Sequence, residues 1–239
     1  MNVAIITARA GSKSILNKNV MMLAGKPLVY YPIQAAREAK LIQKTYISTD
    51  SPEVMDVGRE NGCEIIVRPE DLCGDHVNHG EVIKHAVEYA DAHEKDLRNV
   101  TLLLGNTVML DGALLDQALG MLDERPDLDS VMSVWQAADD HPLRSLEIVD
   151  GLLRPYGDPN RQASTERQSY PTAYYYDQGV WAFRKECVQR RDGPSPWWWM
   201  GKRSAPILRN WVTGRDIHTH LDAGFSEWWL AHYPDVKKL

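Results

Sequence analysis

The sequence contains little cysteine, and its cysteines are not arranged for a metal or disulfide framework. Three occur in 239 residues, Cys63, Cys73 and Cys187, and none belongs to a CxxC pair. A zinc ribbon needs such pairs, and a small secreted domain needs several bridges, so both classes are excluded. The cysteine content therefore favours a protein of a reducing compartment.

The sequence also lacks long hydrophobic runs and an excess of positive charge. No stretch approaches the roughly 18 apolar residues of a membrane span, and the N-terminal MNVAIITARAG lacks the features of a signal peptide. Lys and Arg total 27 against 33 Asp and Glu, a formal charge of -6, which argues against a general binder of nucleic acid or anionic membranes. We expect a soluble, cytoplasmic protein.

The positive charge that is present is concentrated near the N-terminus. Residues 1–45 carry seven basic side chains and a single acidic one, Glu38. Because the rest of the chain is strongly acidic, this segment indicates a local site for an anion.

Apolar runs alternate with helical patterns over the first 135 residues. Asn2 to Thr7 is continuously apolar except at its ends, as in a strand buried on both faces of a parallel sheet. Further strands are predicted at residues 45–49, 63–67, 100–104 and 130–135. Helices are predicted at residues 28–41, 52–61, 79–93 and 111–124, with Ser51 and Asp111 as N-caps. This alternation is typical of an α/β fold with a mostly parallel sheet.

The pattern changes after residue 135. Residues 136–175 are rich in Pro, Gly, Arg, Gln and Tyr and include a predicted hairpin around residues 149–152. Residues 178–183 and 207–212 are predicted to return to the sheet, and residues 219–232 to form a helix. We therefore predict one domain, residues 1–239, with an inserted arm at about residues 138–176.

The segment after the first predicted strand is the strongest candidate site. Residues 8–19, ARAGSKSILNKN, follow a buried strand at the carboxyl end of the sheet, where open α/β proteins bind ligands. Gly11 lets the backbone turn, and the loop amides and the Ser12 hydroxyl can donate to phosphate oxygens. The loop also supplies three cations, Arg9, Lys13 and Lys18. A triphosphate therefore suits this loop better than the alternative interpretation, a solvated basic surface.

Two familiar phosphate-binding motifs are absent. A Walker A loop would need a glycine where the sequence has Ile6, and no GxGxxG occurs. Residues 8–19, with LAGKPL at 23–28, instead resemble the N-terminal signature of the CMP-sialic acid synthetases, the acylneuraminate cytidylyltransferases. Further segments resemble that family's motifs in the same order: STD at 48–50, RPEDL at 68–72, HPLR at 141–144, RQSYP at 167–171 and QGVW at 178–181.

The resemblance implies both a fold and an activity. The fold is a three-layer α/β fold like that of nucleotide-diphospho-sugar transferases, Rossmann-like, with a mostly parallel sheet and an inserted dimerisation arm. The activity is transfer of CMP from CTP to an acidic small molecule, above all a nine-carbon 2-keto sugar acid (a nonulosonic acid), with release of pyrophosphate. CTP, the acceptor and a second copy of the chain are the implied partners, without nucleic acid or membrane, in the biosynthesis of cell-surface polysaccharide.

The resemblance also assigns roles to individual residues. The catalytic residues are Arg9, Lys18 and Asp216. The nucleotide-binding residues are Ala8, Arg9, Gly11, Ser12, Lys13, Lys18, Asn19, Arg68, Asp75 and Asn78. The substrate-binding residues are Asn106, Thr107, Arg144, Arg167 and Gln178. Arg68 corresponds to an arginine that helps to read cytosine in the family, and Arg144 and Arg167 are expected to hold the acceptor carboxylate, with surface ion pairs as the alternative.

The C-terminal RDIHTHLD resembles the family's metal-binding segment, with one departure. Asp216 and His218 are two residues apart, so on a strand both would face the same way and could share a metal. The resemblance implies Mg²⁺, whereas an imidazole ligand also suits Mn²⁺. Asp222, the last residue of this segment, could serve the site or could close a capping box with Thr219 at the start of the last helix.

A second departure follows the fourth predicted strand, where residues 103–110, LLGNTVML, replace the family's LLQPTSPLR. Because that loop lies beside the sugar acid in the family, the replacement leaves the acceptor open. Two alternatives remain: a cytidylyltransferase for a different acid, such as another sugar acid or a phosphonate, or a nucleotide-binding regulatory relative without turnover. The run PWWWM at 196–200 is expected to pack rather than to line a pocket, and His76 and His79 to cap or line the next helix.

Overall fold

The computed structural model describes residues 1–11, 14–74, 76–158, 160, 164, 166 and 169–232. Strands and helices alternate through the first half of the chain and then give way to a hairpin arm. The strands are β1 (Asn2–Thr7), β2 (Met22–Leu23), β3 (Lys26–Pro27), β4 (Lys44–Thr49), β5 (Glu64–Val67), β6 (Asn99–Leu104), β7 (Ser130–Gln136), β8 (Leu146–Val149), β9 (Leu152–Pro155), β10 (Tyr174–Arg184) and β11 (Ser204–Leu208). The helices are α1 (Tyr30–Glu38), α2 (Pro52–Glu60), α3 (His79–His93), α4 (Gly112–Glu124), α5 (Cys187–Arg190) and α6 (His220–His232).

The central sheet has seven strands in the order β11-β7-β10-β6-β1-β4-β5. β10 runs antiparallel to β6 and β7, and the other pairings are parallel. The sheet is therefore mostly parallel, as predicted. Its strands β1, β4 and β6 are parallel, so their carboxyl ends lie side by side, and the loop after β1 emerges there.

Helices cover both faces of the sheet, which gives three layers. All six residues of β1 are buried, and they divide between two cores. Ala4 and Ile6 pack with α1, α2 and α4 on one face, whereas Val3 and Ile5 pack with α3 and α5 on the other. This division explains why residues 3–6 of the strand are all apolar: neither side of the strand reaches water.

The predicted helix caps are present. Ser51 Oγ accepts a hydrogen bond from the amide of Val54 at 3.3 Å, and Asp111 Oδ1 accepts one from the amide of Leu114 at 2.8 Å. Each satisfies an amide that the first helical turn leaves without a partner. The starts of α2 and α4 are thus fixed by their own local sequence.

Three predicted elements differ clearly in their bounds from the structure. The strand predicted over residues 178–183 is β10, Tyr174–Arg184, which begins four residues earlier. The helix predicted over residues 28–41 is α1, Tyr30–Glu38, because the amides of Leu28 and Val29 bond to carbonyls of the preceding loop and the amide of Leu41 bonds to Asp116. The strand predicted over residues 207–212 is β11, Ser204–Leu208, which begins and ends earlier. Arg209, the next residue, directs its side chain inward, as described below.

Between β7 and β10 the described chain leaves the sheet as an arm, whose end the prediction placed too late, because residues 174–176 already pair with β7 in the sheet. Within the described residues, strands β8 and β9 of the arm pair only with each other, with Ile148 opposite Leu153. The hairpin predicted around residues 149–152 is therefore present. Among the described helices, none has the length and apolar character needed to cross a membrane.

Candidate active site

A cavity of about 450 Å³ lies at the carboxyl ends of β1 and β6. Its described lining includes Arg9 and Lys18 from the loop after β1, Arg68 after β5, and Asn106 after β6. His218, from the C-terminal part of the chain, also faces it. The segments that the sequence predicted to bind nucleotide and metal thus meet in one place.

The loop after β1 is held by hydrogen bonds to the neighbouring strand. The amide of Ala8 donates to the carbonyl of Ser48 at 3.1 Å, and the amide of Ala10 donates to Asp50 Oδ1 at 2.7 Å. Asn19 closes the loop by donating from Nδ2 to the carbonyl of Arg9 at 2.9 Å. Gly11 has a φ of 68°, in the left-handed region where glycine carries no steric penalty. Ser12 and Lys13 lie outside the described residues.

Lys18 connects this loop to the C-terminal part of the site. Its Nζ donates to the carbonyl of Ile217 at 2.7 Å. Partial burial lowers the pKa of Lys18, the charge of Asp216 opposes that shift, and the charge of Arg9 adds to it. The charge of Asp222 also opposes the pKa shift, so two cations and two carboxylates are close enough to influence one another here.

Arg68 lines the same cavity from the segment after β5. It is only 6% exposed, and one of its terminal nitrogens donates to the carbonyl of Ser48 at 3.0 Å. Burial lowers the pKa of this guanidinium, and its Nε has no hydrogen-bond partner among the described residues. An unpartnered buried donor is costly, so Arg68 is suited to bind an acceptor atom of a ligand.

Two other residues were predicted to bind nucleotide, and the structure describes one of them. Asn78 is exposed and caps α3, accepting from the amide of Gly80 at 2.8 Å. Asp75 lies outside the described residues. Their predicted contacts with the nucleotide stay predictions.

Asp216 and His218 lie on the same side of the backbone. His218 Nε2 is 3.0 Å from Asp216 Oδ2, while Ile217 between them is buried. Asn106 Nδ2 donates to Asp216 Oδ2 at 2.8 Å and to the carbonyl of Ile217 at 3.0 Å. The local backbone forms an isolated bridge between Thr107 and Asp216 rather than the expected strand. Asn106 thus orients the carboxylate.

The site can accommodate a divalent cation through Asp216 with further ligands from a bound nucleotide. Among the described residues, no group of three or more His, Cys, Asp and Glu side chains could hold an ion. Asp222 is occupied by the capping box, since its Oδ2 accepts from the amide of Thr219 at 2.8 Å and from the amide of His218 at 3.1 Å. Mg²⁺ is often bound by one or two carboxylates together with phosphate oxygens and water, so this donor set fits.

A second cavity, of about 490 Å³, adjoins the first, and His218 lines both. Gln178 lines this second cavity from a β-bulge, where the pairing of β10 with β7 shifts between Tyr176 and Trp181. The amide of Gln178 donates to the carbonyl of Gly214 at 3.1 Å. The bulge therefore brings a polar side chain from a mostly buried strand to the cavity.

The remaining residues predicted to bind the acceptor lie elsewhere or are not described. Thr107 is fully buried, and its hydroxyl has no hydrogen-bond partner in the part of the chain that the structure describes. Arg144 lies on the arm, 3.6 Å from a carboxylate oxygen of Asp139, and it lines neither of these cavities in the described part of the chain. Arg167 lies outside the described residues.

A buried ion pair behind the site was missed by the sequence interpretation. One terminal nitrogen of Arg209 is 3.2 Å from Asp177 Oδ2, and the other donates to the carbonyl of Met109 at 2.6 Å. Asp177 Oδ1 also accepts from the amide of Gly179 at 2.8 Å and from Ser133 Oγ. This pair joins the loop after β6 to the β10 bulge. The feature of the sequence that could have indicated this pair is the presence of Asp177 and Gly179, a carboxylate and a glycine, within an apolar strand.

The altered loop after β6 packs closely on the loop after β1. A Cβ atom at Gly105 would lie 2.7 Å from the Ala8 Cβ and 3.2 Å from the Thr7 carbonyl oxygen. Glycine is therefore required for this approach, which positions Asn106 beside Asp216. The motif resemblance by itself gives no reason for the replacement of the family's LLQPTSPLR by residues 103–110.

Comparison with known proteins assigns the chain to a family. A model of the cytidylyltransferase family matches residues 3–190. The chain belongs to the cytidylyltransferase family. This confirms the resemblance drawn from the motifs.

Individual relatives are similar over part of their length. The chain is 29% identical over 176 residues to the Helicobacter pylori "Pseudaminic acid cytidylyltransferase and UDP-2,4-diacetamido-2,4,6-trideoxy-beta-L-altropyranose hydrolase", covering 72% of this chain and 32% of that protein. It is 41% identical over 90 residues to an Escherichia coli N-acylneuraminate cytidylyltransferase, covering 37% of this chain and 22% of that protein. The chain thus matches less than a third of the length of these two cytidylyltransferases.

A solved structure supports the fold. CMP:2-keto-3-deoxy-manno-octonic acid synthetase, complexed with CTP, superposes with a TM-score of 0.69 over 97% of this chain and 98% of that one. The sequence identity is 16%, so this likeness concerns the fold alone. The predicted three-layer α/β fold of nucleotidyltransferase type is confirmed.

Proposed function

We propose that this cytidylyltransferase transfers CMP from CTP to the hydroxyl group of an acidic sugar, above all a nonulosonic acid, and releases pyrophosphate. One observation carries the proposal: a single cavity joins Arg9 and Lys18 to the segment that bears Asp216 and His218. The similarity to cytidylyltransferases named for sialic and pseudaminic acids supports the class of acceptor. A single domain and a cytoplasmic location are part of the same proposal.

The charges of the site suit this transfer. The acceptor oxygen bonds to the α-phosphorus, the bond from that phosphorus to the pyrophosphate oxygen breaks, and the hydroxyl loses its proton. Negative charge then grows on the α-phosphate oxygens and on the departing pyrophosphate. Arg9 and Lys18 can neutralise it without moving far, because Lys18 is already oriented by its bond to Ile217.

Asp216 and His218 are the residues that would hold a divalent cation beside the phosphates. Such an ion, Mg²⁺ or Mn²⁺, would neutralise phosphate charge and align the reacting groups. Asn106 keeps the Asp216 carboxylate facing the site. Asn106 therefore acts by orienting the Asp216 carboxylate. The Asn106 Nδ2 already donates to Asp216 and to the Ile217 carbonyl before any acceptor binds.

We assign the acceptor to the second cavity, beside Gln178. His218 lies between the two cavities, so an acceptor hydroxyl there can approach the α-phosphate of a nucleotide in the first. Arg144 belongs to the arm, and we propose that it reaches an acceptor only when two arms are paired. Contacts of Arg167 and Thr107 with the acceptor stay predictions.

A pyrophosphate-release assay tests this function. We expect release from CTP with a nonulosonic acid, much slower release from UTP, GTP or ATP, and no release after removal of divalent cations with EDTA. Mg²⁺ and Mn²⁺ should each restore it. CTP binding without release, over a panel of sugar acids and phosphonates, would instead support the regulatory alternative, and release with a phosphonate alone would change the acceptor class.

We also propose that the chain forms a homodimer through its arm. Ile148 and Leu153 lie opposite each other on one face of the β8–β9 hairpin, and they are 74% and 69% exposed. Leu146 and Pro155 are the next pair on the same face, and Leu146 is also exposed. A two-stranded hairpin with one apolar face needs a covering surface to be stable, and a symmetric partner supplies one.

Light scattering after size-exclusion chromatography tests the proposed dimer. The wild-type chain should elute at twice its 27.1 kDa mass, and Ile148→Asp with Leu153→Asp should elute as a monomer, because two carboxylates would be buried at the contact. Leu208→Asp, at a 64% exposed leucine on the edge strand β11, is the matched control and should stay dimeric. A monomeric wild-type chain would contradict the proposal.

A further inference from the structure

His79 is a cavity residue that the proposed reaction does not use. It is the first residue of α3, it lines the same cavity of about 450 Å³ as Arg68, and the charge of Arg68 acts on it. Its Nε2 lies 3.0 Å from the Oγ1 of Thr7, the last residue of β1. The ring is therefore fixed by the central strand of the sheet.

The aromatic run at residues 197–199 supports this arrangement. Trp199 is buried and meets the His79 ring edge to face, with ring centroids 6.2 Å apart. Trp198 packs so closely on Gly80 that a Cβ there would lie 2.5 Å from its ring nitrogen. The tryptophans thus hold the first turn of α3 against the cavity.

The imidazole of His79 is neutral at ordinary pH. Burial, together with the positive charge of Arg68, lowers its pKa to about 4. A neutral imidazole has one N–H and one bare nitrogen, and Nε2 is engaged with Thr7. Nδ1 is then the nitrogen available to a ligand, and it is a hydrogen-bond acceptor when Nε2 carries the proton.

This chemistry complements Arg68. A guanidinium only donates hydrogen bonds, so it suits a carbonyl oxygen that cytosine and uracil both possess. The two bases differ at position 4, where cytosine carries an amine that donates and uracil an oxygen that accepts. The described lining of the cavity also includes the apolar Leu72, Val77 and Val82, which can contact the faces of a planar base.

We propose that His79, held by Thr7, binds the 4-amino group of the cytosine base and so sets the preference for CTP over UTP. The inference rests on the proposed function, since it concerns the nucleotide of the same reaction. It requires the tautomer in which Nε2–H donates to Thr7 Oγ1 and Nδ1 accepts from the base. With uracil, an acceptor would face an acceptor, and one hydrogen bond would be lost.

Calorimetric titration of CTP and UTP, without acceptor so that nothing turns over, tests the inference. His79→Ala should weaken CTP binding about tenfold, the value of one hydrogen bond, while changing UTP binding less than twofold. Thr7→Val keeps the shape of the strand residue but removes the hydroxyl, so it should lower the CTP-to-UTP preference in the same direction. His85→Ala, six residues further along α3, is the control and should keep the wild-type preference.

Equal weakening of CTP and UTP by His79→Ala would mean a structural role and would overturn the inference. If that variant does not fold, an unchanged preference in Thr7→Val would overturn it equally. An NMR nitrogen spectrum with a proton on Nδ1 of His79, in the CTP complex, would also contradict it. A wild-type chain without any preference for CTP overturns this inference and the proposed nucleotide together, whereas a preference that survives His79→Ala overturns this inference alone.

Discussion

Replacing Lys18 with methionine is expected to slow CTP-dependent pyrophosphate release by about 100- to 1000-fold, the effect of losing one preorganised donor to a developing oxyanion. Lys18 Nζ is held by the Ile217 carbonyl within the cavity, and methionine keeps most of the side-chain volume without the charge. The loss should appear in kcat, measured with saturating CTP and acceptor. The positive charge matters most as the pyrophosphate leaves.

Two further variants separate charge from structure at this position. Lys18→Arg keeps the cation and should retain much of the activity. Lys40→Met removes an exposed lysine just past α1 and should behave as the wild type. If Lys18→Met turns over at a near-normal rate while remaining folded, the assignment of this loop to the triphosphate is wrong.

Replacing Arg209 with methionine is expected to lower the free energy of unfolding by about 3–5 kcal/mol, the usual cost of breaking a buried ion pair by removing one partner. Asp177 is 1% exposed, and without Arg209 its charge would be left with only neutral donors. The loss should be measured by urea unfolding, with the midpoint falling and the slope unchanged.

An exposed ion pair provides the matched control. Arg59 lies 3.1 Å from Asp56 on α2, and both side chains are more than half exposed. Arg59→Met should change stability by about 0.5 kcal/mol or less, because solvent screens such pairs. Asp177→Asn combined with Arg209→Met should recover part of the loss. Equal effects of Arg209→Met and Arg59→Met would contradict the importance of the buried pair.

The elements that the sequence predicted best are those with local signals at their ends. β1 and α3 have the predicted bounds, and α2 and α4 begin at predicted caps. Each depends on a few neighbouring residues: an apolar run, or a side chain that accepts from an amide three residues on. α1 was predicted too long because the atoms that end it belong to distant segments, such as Asp116.

The site residues also divide into those with a local signal in the sequence and those without one. Arg9 follows β1 by two residues and Lys18 lies further along the same loop, so their place at the carboxyl end of the strand could be predicted from sequence. Asp216 required the resemblance to a family. His79 and Arg209 could not be predicted, because Thr7 and Asp177, which bind them, are 72 and 32 residues away along the chain.

The bond between Lys18 and Ile217 has a consequence for the order of folding. These residues are 199 positions apart, and Asn106 and Asp216 are 110 apart. Closing such long loops costs chain entropy, which slows the formation of contacts between distant segments. The parallel strands β1 and β4 can pair before the C-terminal segment arrives, whereas the cavity needs both ends of the chain. Recovery of catalytic activity during refolding should therefore report the last stage of assembly, after most secondary structure has formed.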